Sequence, residues 1–192
     1  MNAFLCYHRL GCPTYCTTGS CGKGKECTWE VYLTDPGVVT VYTVGHSNHE
    51  ANAFVGLLRQ HSIELVVDVR STPYSRYVPQ ANRESLARTL ESAGIAYRWL
   101  GDLLGGKPEG ATSDYDEIRA SPAFQQGVRR LLDLAATDRT VIMCSEGDHR
   151  QCHRHLLITQ TLLNMGVYVG HIQPDGTCSA GTLEPEQLTL FG

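Results

Sequence analysis

No stretch of this 192-residue chain reads as a membrane span. The longest run without a charged residue, Leu156 to Pro174, is interrupted by Gln160, Asn164, Gly166, Gly170 and His171 and reads as a helix followed by a strand. The N-terminus lacks a basic segment followed by an apolar one, so no signal peptide is expected and the chain is read as cytoplasmic. Charge of one sign is not in excess: 16 Lys and Arg against 20 Asp and Glu leave a net charge of −4. That balance excludes a globally basic nucleic-acid coat. It leaves room for a local basic groove, which depends on where the arginines lie. Repeats and low-complexity segments are absent. So is any regular C-x-x-C pair, although the chain has eight cysteines, which in a reducing compartment point to metal binding or reactivity before disulfides.

A composition of 42% hydrophobic and 19% charged residues fits one ordinary globular domain. Folding at this length removes roughly 70% of the surface of the unfolded chain, so the main body needs neither a metal nor a disulfide. Composition shifts near Gly37. Residues 1–37 form a Cys-rich extension in which Cys12, Cys16, Cys21 and Cys27, with Cys6 and His8 nearby, offer ligands for zinc or an iron–sulfur cluster. The competing reading is that translation starts near Val38 or Val39, because the preceding peptide has few periodic apolar residues.

From residue 38 to 175, apolar strand-like runs alternate with helical patterns. Strands are expected at Val38–Gly45, Ile63–Val69, Ile95–Leu100, Thr140–Cys144 and Val167–Ile172. Helices are expected at Glu50–His61, Glu84–Ala93, Ser121–Ala136 and Cys152–Met165. The alternation implies an α/β fold: three layers, with a mostly parallel five-stranded sheet and helices on both faces. Two long connections, Ser71–Arg83 and Gly101–Ala120, leave the carboxyl ends of strands, where loops of that length are usually functional.

Ligands of open parallel sheets bind beyond the carboxyl ends of the strands. There this sequence places His46 and Ser47, Asp68 and Arg70, Asp102, Cys144 and Glu146, and His171. The densest segment, Cys144 to Arg154, joins a strand to a helix. Its cysteines and basic residues fall near a helix N-terminus, which favours anions and lowers thiol pKa values. Three chemistries compete. Cys144 and Arg150 fit C-x5-R, the spacing of phosphatase-like and rhodanese-like loops, although Glu146 and Asp148 would repel a bound anion. Cys144, Cys152 and His153, with His46, offer a metal set of unrecognised spacing. Asp68 or Glu146 offers a general acid or base beside Arg70 and Arg154, which would hold an anionic substrate. The bland alternatives are a structural Asp68–Arg70 ion pair and two core cysteines.

Val44-Gly45-His46-Ser47, Asp68-Val69-Arg70 with Pro73 and Ser75-Arg76, Leu104-Gly105-Gly106, and Cys144-x-Glu146 followed by Cys152-His153-Arg154 together resemble the prokaryotic family called domain of unknown function 488. The resemblance spans Val39 to about Pro174. It implies an α/β domain, no settled activity, and a site built from His46, Ser47, Asp68, Arg70, Ser75, Cys144, Glu146, Cys152, His153 and Arg154. It also implies a larger aromatic side chain where Ala81 stands, so an aromatic pocket wall is either missing or supplied by Tyr74 or Tyr77.

The tail, residues 176–192, ends in Gln187-Leu188-Thr189-Leu190-Phe191, which looks like a bacterial sliding-clamp-binding peptide. In that reading Gln187, Leu188, Leu190 and Phe191 hook a partner pocket. Arg70, Arg76, Arg83, Arg88 and Arg98 are interleaved with Tyr74, Tyr77, Tyr97 and Trp99, which suits nucleic acid. The leading expectation is therefore a DNA-maintenance protein that binds or acts on a nucleotide or flipped base in the strand-end pocket and is recruited by the clamp. One alternative is a cysteine-dependent rhodanese-like or phosphatase-like enzyme acting on a small anion. The other is a non-catalytic clamp-recruited adaptor.

Overall fold

A computed structural model describes residues 39–107 and 114–184, together with two short strands, β1 (Ser20–Cys21) and β2 (Lys25–Glu26), that pair antiparallel. The chain divides into two units, Met1–Gly37 and Val38–Gly192. Of the Cys-rich set, Cys12, Cys16 and Cys27 lie outside the described residues, and of Cys21 only the strand is described. The clamp-like residues Gln187, Leu188, Leu190 and Phe191 also lie outside them.

The second unit is an α/β structure. Its strands are β3 (Thr40–Gly45), β4 (Leu65–Asp68), β5 (Ala96–Trp99), β6 (Thr140–Cys144), β7 (Tyr168–Ile172) and β8 (Cys178–Ala180). Its helices are α1 (Ala51–Gln60), α2 (Arg83–Ser92), α3 (Gly101–Leu104), α4 (Tyr115–Ala120), α5 (Pro122–Ala135) and α6 (Gln160–Asn164), the last preceded by a π turn at Arg154–Thr159. The sheet order is β5-β4-β6-β3-β7-β8, with β8 antiparallel and every other pairing parallel. Val41, Val66, Val67, Val141 and Ile142 are wholly buried, so the central strands are apolar on both faces, as a covered parallel sheet requires.

The sixth strand is an addition to the five expected. It lies in what the sequence reads as tail, and Pro174-Asp175-Gly176 explains it. Gly176 takes φ 85°, a conformation open to glycine, and Gln173 N–H donates to Thr177 O at 2.8 Å, closing a hairpin that lays β8 against β7. The long connection after β5 likewise contains α3 and α4. Asp114 starts α4 by accepting from Asp116 N–H at 2.8 Å, and Ser121 starts α5 by accepting from Phe124 N–H at 3.2 Å, with Pro122 at a tolerated first position.

Topology locates the crevice. The connections β3 to β4 and β4 to β5 run one way across the sheet, while β5 to β6 and β6 to β7 run the other way. Right-handed crossovers then put α1 and α2 on one face and α3 to α6 on the opposite face. Chains leave β6 and its neighbours β3 and β4 toward opposite faces, which opens a crevice beyond their carboxyl ends. Register sets the ends level: Gly45 pairs with Cys144, and Asp68 with Met143.

Candidate functional site

Three strand ends deliver the first group of polar residues. Asp68 and Arg70 end β4, both buried, and the guanidinium meets the carboxylate at 2.6 Å through Nη2 and 2.9 Å through Nε. Tyr97 of β5 donates its hydroxyl to the same carboxylate at 2.7 Å. Burial works against the Arg70 charge, but the hydrogen bonds and charge of Asp68 outweigh it and hold its pKa above the usual value. The Tyr97 hydroxyl is pushed well above its usual range by burial and by the Asp68 charge. Arg70 also donates to Ala81 O at 2.9 Å, tying the loop of residues 79–81 to the strand end.

At the end of β3, Arg70 Nη1 lies 2.9 Å from His46 Nε2, and His46 Nδ1 lies 2.8 Å from Ser47 O. A guanidinium only donates and a carbonyl only accepts, so His46 carries its proton on Nδ1. Burial, helped by Arg70, lowers its pKa. Ser47 adopts φ 45°, a left-handed conformation uncommon for a residue with a side chain and concentrated at functional turns.

The second group hangs on β6 and the segment after it. Cys144 Sγ is 3.6 Å and Cys152 Sγ 3.8 Å from His153 Nδ1, while His153 Nε2 lies 3.1 Å from Val69 O. The carbonyl accepts from Nε2, so Nδ1 is the nitrogen that faces both sulfurs. Both cysteines are free and buried. The Cys152 thiol, followed by His153, lowers the pKa of Cys144, and the same hydrogen bond raises that of Cys152. The two shifts are opposed, so ionisation is favoured at Cys144 and disfavoured at Cys152.

Arg154 is 1% exposed, and among the described residues no carboxylate lies within ion-pair distance of it. It donates to Glu146 O and, at 2.9 Å, to Gly147 O, and its Nε is buried without a hydrogen-bond partner. A Cβ at Gly45 would meet Glu146 O at 1.9 Å and Arg154 Nη1 at 2.8 Å, so this clamp requires glycine there. Burial lowers the Arg154 pKa, and the two thiols oppose that shift.

The structure thus brings together His46, Asp68 and Arg70, and beside them Cys144, Cys152, His153 and Arg154. Glu146 is exposed and contributes its carbonyl to Arg154. Ser75 accepts from Tyr77 N–H and Val78 N–H at 3.2 Å, shaping its own loop. Arg150, the arginine of C-x5-R, is exposed and paired with Asp148 at 2.9 Å. The loop turns carbonyls, rather than a cradle of amides, toward the buried guanidinium. Tyr74 and Tyr77 are 70% and 78% exposed, so neither walls a closed pocket at Ala81, which is itself buried.

A further group was not singled out as a set by the sequence: His149, His155 and His171 converge at the ends of β6 and β7. Of these the strand-end pattern marks only His171. Burial pushes its pKa down to about 2. Among the described residues two clusters therefore have donors close enough to hold a metal, this one and Cys144, Cys152 and His153. In the sulfur cluster a divalent ion bound by both cysteines would cancel their charge and leave Arg154 only the weaker pull of Glu146 and Asp148, which argues for free thiols there.

A family model described as Domain of unknown function DUF488 matches residues 50–160. The chain belongs to that family. The matched span includes Asp68, Arg70, Cys144, Cys152, His153 and Arg154, while His46 and His171 fall outside it. Comparison with the curated proteins and with the solved structures finds no match.

Proposed function

We propose that the protein is a cysteine-dependent enzyme in which the Cys144 thiolate attacks a small anionic substrate at the crevice beyond β3, β4 and β6. The observation that carries this reading is the buried Arg154, a guanidinium with no carboxylate in ion-pair contact beside two paired thiols. Burying such a charge costs several kcal/mol; the two cysteines act on it more strongly than the carboxylates of Glu146 and Asp148, so the surroundings favour an anion there, and the Cys144 thiolate supplies it. Attack forms a bond from Sγ to the electrophilic centre, and the leaving group departs with the bonding pair. Bonding removes the charge on Cys144 and with it the main reason Cys152 keeps its proton, which can then pass to the leaving group. Water cleaves the adduct and returns a proton to the dithiol pair.

The test is turnover of p-nitrophenyl phosphate and p-nitrophenyl acetate by wild type and Cys144→Ser, with mass spectrometry of the Cys144 peptide. Turnover lost in the variant, with an adduct on that peptide in wild type, supports the reading. Turnover that survives the substitution overturns it, as does alkylation of Cys144 with the pH dependence of a free cysteine.

A second reading, a DNA-maintenance protein recruited by the sliding clamp, draws on the surface beside the crevice. Tyr74 and Tyr77 are exposed, Arg76 lies 4.6 Å over the Tyr77 ring, and Arg83 lies 4.5 Å over Trp99. Such exposed faces flanked by cations suit stacked bases and phosphates. The clamp-like peptide adds the recruiting element. Titration calorimetry against the sliding clamp, with Leu190→Ala and Phe191→Ala together as the control, tests it. Saturable binding lost in the double variant supports recruitment, and no binding by wild type removes it. An adaptor without catalysis would keep clamp binding and show no turnover.

A further inference from the structure

The thiol chemistry leaves His149, His155 and His171 unused. One nitrogen from each lies within 4.8 Å of the others. They come from three separate places: the 3-10 turn His149–Gln151, the π turn, and β7. His155 Nδ1 and His171 Nε2 are 3.1 Å apart. Two nitrogens on one tetrahedral zinc, each at about 2.0–2.1 Å, stand roughly 3.3 Å from each other.

The outward nitrogens of the two inner rings are already taken. His155 Nε2 donates to Glu184 Oε1 at 2.7 Å, and because a carboxylate only accepts, Nδ1 keeps its lone pair. His171 Nδ1 lies 2.7 Å from Thr43 Oγ1, which orients that ring in the same sense. Partners of this kind behind an imidazole are what fix metal-bound histidines. Glu184 is itself held: its N–H donates to Gln160 Oε1 at 2.9 Å, while Gln160 Nε2 donates to Thr182 O at 3.0 Å.

His149 completes the group. Its ring stacks on His171 at 3.9 Å, and it lines a cavity of about 430 Å³ with Gly147, Asp148, Arg150, Gln173 and Pro174. A hydrogen-bonded chain from Thr43 through His171 and His155 to Glu184 would satisfy the two inner rings without a cation. It would leave the His149 ring with one polar contact among the described residues, Gln173 Nε2 at 3.5 Å from its Nδ1, and would give the cavity above it no role. We infer that His149, His155 and His171 form a three-histidine site for a zinc-class divalent cation, with a fourth position open to that cavity.

Binding turns His149 out of its stack, which its place in a half-buried one-turn segment allows. Arg154 and Arg150 oppose the ion, and Glu184 and Asp148 favour it. The site is distinct from the thiol pair, because His153 contacts Val69 next to β4 whereas His155 contacts His171 on β7.

The full chain carrying Cys144→Ser and Cys152→Ser, stripped with a chelator, is titrated with Co²⁺ and then Zn²⁺. The expected result is one equivalent of Co²⁺ with the spectrum of nitrogen ligation and no thiolate-to-cobalt charge transfer, displaced by Zn²⁺. His149→Ala, at a half-exposed position, weakens that binding at least about tenfold, and Glu184→Gln weakens it by about 10–100-fold. Circular dichroism confirms that the variants are folded. Absence of binding overturns the inference. So does cobalt that shows thiolate charge transfer alone, which would place it on the N-terminal cysteines, or an affinity unchanged by His149→Ala.

Discussion

Arg70 grips Asp68 with two guanidinium nitrogens while a third points at His46 Nε2, so one buried cation joins the ends of β4 and β3. Breaking such a pair from one side strands the other charge. Asp68→Asn is expected to lower stability by about 3–5 kcal/mol, and Asp68→Leu with Arg70→Met to recover part of that loss. Urea unfolding of both variants measures it. Catalysis by Asp68 would appear differently, as lost turnover in a protein of undiminished stability.

Alkylation distinguishes the two thiols. Cys144 is expected to react with iodoacetamide well below the pH at which a free cysteine does, while Cys152 stays unreactive through the same range. Cys152→Ser and His153→Phe each remove a cause of the lowered pKa, so both move the Cys144 profile toward higher pH. Peptide mass spectrometry of the pH series checks the assignment.

His46 gives a pH dependence with a definite sign. Its folded pKa lies below the unfolded value of about 6.5, so the unfolded chain takes up the proton first. The stability it contributes is present above about pH 6.5 and is lost as pH falls toward the folded pKa. Long-range proton–nitrogen NMR at about pH 6.5 is expected to show a larger neutral fraction for His46, protonated on Nδ1, than for a free imidazole. A larger imidazolium fraction there would contradict the hydrogen-bond assignment.

Two glycines make an internal control. At Gly45 an added Cβ meets Glu146 O at 1.9 Å, whereas at Gly56, exposed within α1, it meets nothing within 4 Å. Gly45→Ala is expected to cost about 1–3 kcal/mol or more. Gly56→Ala is expected to gain roughly 0.5–1 kcal/mol, because alanine suits a helix interior better. Thermal melts of the two variants should shift in opposite directions.

Much of the site was legible because polar residues stand out at the ends of apolar strands. Asp68, Arg70 and Cys144 were visible for that reason, and parallel register then levels β4 with β6; Cys152, His153 and Arg154 stood out by opening the helical pattern that follows β6. Partnerships were less legible. Tyr97 reads as a stacking surface, yet it donates to Asp68 across one strand. His155 sits inside a helical pattern with no mark of its own, and its carboxylate partner comes 29 residues later. Short helices such as α3, of four residues, fall below the length at which periodicity is informative. The β7–β8 hairpin did carry a signal, Pro174-Asp175-Gly176, hidden by the composition of the tail around it.

The π turn at Arg154–Thr159 carries one more residue per turn than the α-helix that follows, and Thr159 Oγ1 donates to Arg154 O across it at 2.7 Å. An α-helix advances about 100° per residue, so deleting one residue here would leave the core-facing half in phase and swing His153, Arg154 and His155 about a quarter-turn or more around the axis. The segment is in effect an insertion that separates two tasks within one helix. Its second half can drift under the demands of packing, while its first half keeps the Cys152 thiol, the guanidinium and the imidazoles aimed at their strands.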